Sequence, residues 1–313
     1  MKIYFIIFCL SAALISISCN ENFNPKAPFI EQYVLNCIIR GDSVAQVALL
    51  GKTYDVNGYD PSTNSVDPSV TGALIYIKCH GKIYQMRDSS IARTDTSQYK
   101  GPVKFYYSNS FLPGTNDTVE ITAIPKDGVI LNSKTTVPNS VSFDRSPVYI
   151  KGDEAALDLT WVESDGGDFF LPRLKIVYSK RNEIPQVIHT LEVPVSYNYS
   201  GNLITPIYPG VSAARGLEYQ RSILDDYMTK VSAGDDMENY QFYDLEFDLL
   251  IFDQFLSGYI STTNGFLDNL SIRLDEPNYT NITGGLGIFG AYMLNKTSIS
   301  LSDNYLTQLG YTP

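Results

Sequence analysis

A run of glycines near the end of the chain has the spacing of a nucleotide site. Gly285 to Gly290 read GLGIFG, which fits Gly-x-Gly-x-x-Gly, the pattern by which backbone amides approach a pyrophosphate. That chemistry requires a strand before the run, a helix opening at its last glycine, and an acidic residue about 20 positions further on. Only 23 residues follow Gly290, and they begin AYMLNKTSISL, which alternates like a strand. The preceding NYTNITG is turn-like. The run therefore predicts no nucleotide and no other cofactor. Gly284, Gly285, Gly287 and Gly290 are expected to supply positive φ or close strand approach, with Leu286, Ile288 and Phe289 filling core.

A second set of candidates is acidic. Asp244, Glu246 and Asp248 recur at every second residue, so an extended chain sets them about 7 Å apart on one face. Such a row suits Ca²⁺ or a polar substrate, but also the solvated side of an outer strand, and the last is the expectation here. A glycosidase pair would need two carboxylates in separate environments, which one row does not supply. The loops YDVNGYDPSTNSVD and ESDGGD also gather Asp and Asn, without the glycine at the sixth position and glutamate at the twelfth of an EF-hand.

The two histidines are both read as structural: His80 sits in KCHGK at a hairpin turn, and His189 alternates with Val187 and Leu191. No His-Glu-x-x-His, Gly-x-Ser-x-Gly or P-loop occurs. No metal spacing is found, no catalytic residue is assigned, and the chain is expected not to be an enzyme.

The first eighteen residues, MKIYFIIFCLSAALISIS, have a basic start at Lys2 and an apolar stretch too short to span a bilayer, as in a secretory leader. Ser16 and Ser18 lead into Cys19, which is expected to be acylated as in a bacterial lipoprotein, although Ser16 stands where leucine is usual. Residues 19–28 then form a polar tether. The net charge of −11, or −12 once Lys2 leaves with the leader, argues against nucleic acid and against a basic membrane patch. The membrane is expected to be reached through the lipid on Cys19. Cys37 in YVLNCII and Cys79 in ALIYIKC both fall on inward faces, and two readings stay open: a disulfide between strands, or two buried free thiols.

These candidates have to be positioned by sheets. Tyr is abundant at 23 residues against a single Trp, and Tyr with Val, Ile and Thr in short runs favours strands. Seven runs between Phe29 and Val137, from QYVLNCIIR to VILNSKTTVP, predict an immunoglobulin-like β-sandwich over residues 29–140. A boundary is expected in PNSVSFDRSP, followed by a second β-rich domain over 141–313 with one or two short helices. Its strands are expected in AALDLTWV, FFLPRLKIVYSK, QVIHTLEVPVSYNY, YQFYDLEFDLLIF and AYMLNKTSISLS. Helices are expected in GLEYQRSILDDYMTKV and DQFLSGYIS, and a short helical turn in the closing DNYLTQLGYTP.

The run IRLDEPNYTNITGGLGIFGAY with its closing strand resembles the C-terminal signature of a Bacteroidetes-type lipoprotein family, domain of unknown function 4249. The Cys19 anchor, the opening QYVLNCIIRGDSVAQVAL and the turn into VTGALIYIK resemble that family as well, with Asn281 to Gly290 the specific part. The resemblance implies an outer-membrane lipoprotein encoded beside TonB-dependent receptors, with no catalytic residues to carry over. On that basis the chain is expected to be a non-enzymatic accessory or binding component working with such a receptor. The alternatives are a stand-alone glycan or peptide binder using loop tyrosines such as Tyr54 and Tyr59, and a hydrolase built on the acidic row.

Overall fold

The structure is a computed structural model that describes residues 28–145, 149–150, 155–162, 169–201, 203–262 and 279–313. The first half forms β1 (Tyr33–Arg40), β2 (Gln46–Lys52), β3 (Leu74–Cys79), β4 (Lys82–Ile91), β5 (Val103–Ser108), β6 (Thr118–Ile124) and β7 (Leu131–Thr136). These seven are the strands that alternation predicts, and it is clearest in β3 and β6, where every second residue is buried. Next come β8 (Ser142–Arg145), β9 (Tyr149–Ile150), β10 (Ala156–Val162), β11 (Phe169–Lys180), β12 (Ile188–Val193), β13 (Ser196–Ser200), β14 (Leu203–Ile207) and β15 (Gly216–Gln220). The chain closes with α1 (Arg221–Val231), β16 (Tyr240–Phe242), β17 (Leu245–Phe252), α2 (Gln254–Thr262), β18 (Phe289–Leu301) and α3 (Asp303–Gln308). The fold is mainly β with short helices, and among the described residues no helix is long and apolar enough to cross a membrane.

The main sheet runs in the order β12-β11-β17-β18-β1-β2-β5-β4-β3-β6-β7. It turns over at β4, whose residues Lys82 to Met86 pair with β3 while Arg87 to Ile91 pair with β5. That change of partner brings the inward residues of β1 (Leu35, Cys37, Ile39), β3 (Ile75, Ile77) and β6 (Val119, Ile121, Ala123) into one buried cluster. β10 pairs with β8 and β15 in a smaller sheet, and its Leu157, Leu159 and Trp161 join the same core.

The expected division after residue 140 is not how the chain packs. Residues Gln32 to Pro313 make one compact unit. The last strand is the reason: β18 lies antiparallel to β17 along its length and parallel to β1, with Cys37 opposite Phe289 and Arg40 opposite Tyr292. Each of those neighbours would otherwise present an open row of N–H and C=O groups.

Local departures from the expected elements have local causes. Gly216 to Gln220, expected at the start of a helix, pair with β10, because Leu217 and Tyr219 alternate and β10 has a free edge there. Only from Arg221 does the 3.6-residue period take over, burying Leu224, Tyr227 and Met228. QVIHTLEVPVSYNY divides into β12 and β13 around Pro194, which has no N–H to donate. YQFYDLEFDLLIF breaks at Tyr243 and Asp244 into β16 and β17, both paired to β11, and Tyr243 is exposed at the break.

Candidate functional site

The glycine run lies beside β1 and is held there by a dense set of hydrogen bonds. Leu35 donates its N–H to the Leu286 carbonyl at 2.8 Å, Cys37 to Ile288 at 2.9 Å, and Leu286 to Tyr33 at 2.8 Å. Asn281 clamps the run at its end: its amide nitrogen donates to the Phe289 carbonyl at 2.7 Å, and its side-chain oxygen accepts from the Phe289 N–H at 2.8 Å. On the other side, Thr283 and Asn132 exchange backbone bonds of 2.8 and 3.0 Å, and the Ser133 hydroxyl donates to the Asn281 carbonyl at 2.7 Å. The segment thus joins β1 to β7.

Glycine is required there by space. A Cβ at Gly287, where φ is +116°, would stand 2.0 Å from the Leu35 carbonyl oxygen. At Gly284 (φ +88°) it would stand 2.3 Å from the Ile130 carbonyl oxygen, and at Gly285 2.7 Å from that of Tyr33. At Gly290 it would meet the Leu256 side chain at 2.8 Å. The amides of Leu286, Ile288 and Phe289 are already donated to the Tyr33 carbonyl and to the side-chain oxygens of Asn36 and Asn281, and Gly290 lies within a strand, not at the start of a helix.

The acidic row is not a solvated outer face. β17 is a central strand, and Asp248 is 5% exposed. Lys175 on β11 pairs with Asp248 and lies 3.2 Å from Glu246; Lys296 on β18 lies 3.0 Å from Glu246 and 3.3 Å from Asp248. Burial would raise the Glu246 carboxyl, but Lys296 and Lys175 outweigh it and hold the group below its usual range. Asp244 falls outside the strand and is exposed. Two of the three carboxylates are therefore committed to a cross-strand charge lattice, which leaves them poorly placed for hydrolysis.

In the long loop after β2, acidic and amide side chains are turned on their own backbone. Asp60 accepts from Ser62 N–H, Asn64 from Val66 N–H and Asp67 from Ser69 N–H, each at 2.9 or 3.0 Å. Tyr54 is half-buried and Tyr59 is 70% exposed. The second acidic loop, residues 163–168, lies outside the described residues, as do the leader 1–18 and Cys19.

Cys37 and Cys79 are both free and buried, which decides between the two open readings of the cysteines. Burial pushes the Cys37 thiol up to about 12. His189 stacks on Tyr178 and bonds Glu183 at 2.6 Å. His80 occupies the two-residue turn between β3 and β4 with φ of +50°, followed by Gly81 at +75°, as a type I′ hairpin demands. Its Nε2 lies 2.9 Å from Asp117, so the turn histidine, Cys79 and Asp117 converge.

The candidate for recognition is a surface that alternation did not mark. β13 and β14 form a separate hairpin in which Tyr197 faces Pro206 and Tyr199 faces Ile204, so these four share a side. Tyr199 is 68% exposed, Ile204 58% and Tyr208 42%. α1 supports the face from one flank: Tyr227 stacks on Tyr197 with ring centroids 6.4 Å apart, and Lys230 sits 4.5 Å from the Tyr227 ring and 2.7 Å from Asp226. Burial, then the Tyr227 hydroxyl, push Tyr208 up to about 12.

The chain matches no protein-family model, and no curated protein matches it.

Sequence reasoning missed this hairpin because β14, LITPI, carries a proline and was given no element. The signal present was the Tyr-x-Tyr of β13 opposite two aliphatic residues. It also missed the approach of Asp117 to Cys79, since 38 residues separate them and only the β3–β6 register unites them.

Proposed function

We propose that this chain is a non-catalytic binding component of the cell envelope, tethered through acylated Cys19, that holds its partner against the tyrosine-rich side of the β13–β14 hairpin. The observation that carries the reading is the exposed group Tyr199, Ile204 and Tyr208, an apolar and aromatic set on and beside the hairpin. Tyrosine gives large contact area at small rotamer cost, and exposed apolar faces of this kind mark recognition sites. The carboxylates that a hydrolase would use are held by lysines instead.

The resemblance to domain of unknown function 4249 points to a TonB-dependent outer-membrane receptor as the partner. Cross-linking and purification of the tagged chain from its own membranes should recover such a receptor, and a Tyr199→Ser, Ile204→Ser variant should recover far less. Recovery of the chain alone, or equal recovery by the variant, would overturn the reading.

The same face supports a second reading, a stand-alone glycan binder, because Tyr197, Tyr199, Tyr208 and Tyr227 lie near one another and the exposed rings of Tyr199 and Tyr208 offer stacking surfaces for sugar rings. Binding of the purified chain to a glycan panel, lost on Tyr199→Ser, distinguishes it from receptor binding.

A further inference from the structure

The end of the β3–β4 hairpin gathers three chemically different donors. Cys79 closes β3, His80 follows it in the turn, and Asp117 immediately precedes β6. The antiparallel register that sets Cys79 opposite Val119 fixes how the thiol and the carboxylate stand to each other. The Cys79 sulfur lies 3.7 Å from His80 Nδ1 and 3.7 Å from Asp117 Oδ2, and His80 Nε2 lies 2.9 Å from Asp117 Oδ1. The thiol, one imidazole nitrogen and one carboxylate oxygen all lie within 4.8 Å of one another.

The carboxylate is itself locked. Gly114 donates its N–H to Asp117 Oδ2 at 2.7 Å, and Val137 donates to the Asp117 carbonyl at 2.9 Å. Cys79 is 4% exposed, whereas the His80 side chain is 72% exposed, so the group has an inner anchor and an outer ligand that can swing. A cleft of about 390 Å³ opens on it, walled by Lys78, Asn116, Thr118 and Glu120.

We propose that Cys79, His80 and Asp117 form a binding site for a borderline divalent transition-metal ion of the Zn²⁺ type. Tetrahedral zinc with one sulfur and one nitrogen ligand sets those atoms about 3.5 Å apart, close to the 3.7 Å between Cys79 Sγ and His80 Nδ1. With Nδ1 as the ligand, the Nε2 proton is already held by Asp117 Oδ1, the carboxylate partner that metal-bound histidines use to fix their tautomer. Asp117 thus holds His80 from the far side of the ring and is not itself a ligand, and water fills the remaining positions. A thiolate beside an imidazole excludes the hard cations Ca²⁺ and Mg²⁺, which take oxygen ligands. One thiolate and one carboxylate neutralise a divalent charge, so the bound site carries no net charge. This site is separate from the β13–β14 face, and neither reading depends on the other.

The test is a Co²⁺ titration of the full-length chain, stripped of metal and kept reduced, followed by Zn²⁺ competition. A stoichiometric thiolate-to-cobalt charge-transfer absorption, displaced by Zn²⁺ and lost in Cys79→Ser, supports the site. His80→Asn and Asp117→Asn should each weaken Zn²⁺ binding by at least about tenfold. His80→Asn is the decisive variant if Cys79→Ser does not fold, because its side chain is exposed and asparagine tolerates the positive φ of the turn. Absence of the absorption, its persistence in Cys79→Ser, unchanged Zn²⁺ affinity in His80→Asn, or equal competition by Mg²⁺ would each overturn the proposal and leave three hydrogen-bonded side chains.

Discussion

Thr135 on β7 donates its hydroxyl to the carboxylate of Asp253, 118 residues further along the chain, where the same carboxylate caps the start of α2. Asp253 is 5% exposed, and its Oδ1 accepts from the Leu256 N–H at 2.7 Å. Its backbone N–H reaches the Ala291 carbonyl at 3.0 Å. One residue therefore ties the first half of the chain, a helix N-terminus and the last strand together.

The titration of Asp253 should be visible in stability. Burial raises its pKa from 3.8 to about 6, a gain that the bonds from Thr135 and Leu256 only partly offset. A raised folded pKa favours folding fully below the unfolded value of about 4, and that contribution is lost as pH rises through about 6. Asp253→Asn keeps a capping oxygen and removes the charge. Relative to that variant, the native chain should lose up to about 3 kcal/mol between pH 4 and pH 7 in denaturant titrations. A difference that stays flat across this interval would contradict the assignment.

Gly287→Ala should be among the most damaging single substitutions in the chain. It places a Cβ 2.0 Å from the Leu35 carbonyl at a φ that L-residues avoid, and the obstructing atom belongs to paired backbone in β1. A loss of about 3 kcal/mol or more is expected from urea unfolding. Gly101→Ala, where a Cβ meets nothing within 4 Å, should change stability by about 0.5 kcal/mol or less.

Asn281→Ala removes both side-chain bonds to Phe289 and leaves that residue's partly buried N–H and C=O without them. A cost of about 2–4 kcal/mol follows. Hydrogen exchange should localise it, with faster exchange at Leu35 and Cys37, whose amides donate to the same segment.

Lys175→Met leaves Asp248, 5% exposed, with Lys296 as its remaining cation, and should cost about 1–3 kcal/mol. Adding Asp248→Asn should recover much of that loss, because the two residues act as one unit. Additive losses in a double-mutant cycle would show that the two side chains are not coupled.

Much of the fold was legible along the chain, and the reason is periodicity. Where one strand face meets a core and the other meets water, hydrophobicity alternates, as in TVEITAI, whose Val119, Ile121 and Ala123 are buried. The turn at His80 and Gly81 was legible because few residues accept positive φ. The glycines of residues 284–290 announced crowded backbone by their own lack of a side chain, and the strand-like residues after Gly290 left no room for a nucleotide domain.

Strand neighbours were not legible. Whether Asp248 faces water or two lysines depends on β17 lying between β11 and β18, and no local pattern within YQFYDLEFDLLIF encodes a flanking strand. The same holds for Cys79 and Asp117, united only by register, and for β18 beside β1, which made one packed unit where the order of segments suggested two domains. Sequence by itself determined which apolar residues of the alternating strands share a face, since that follows from local geometry repeated every second residue. Tertiary structure alone decided which distant groups meet, since hydrogen-bond pairing between strands is indifferent to their separation along the chain.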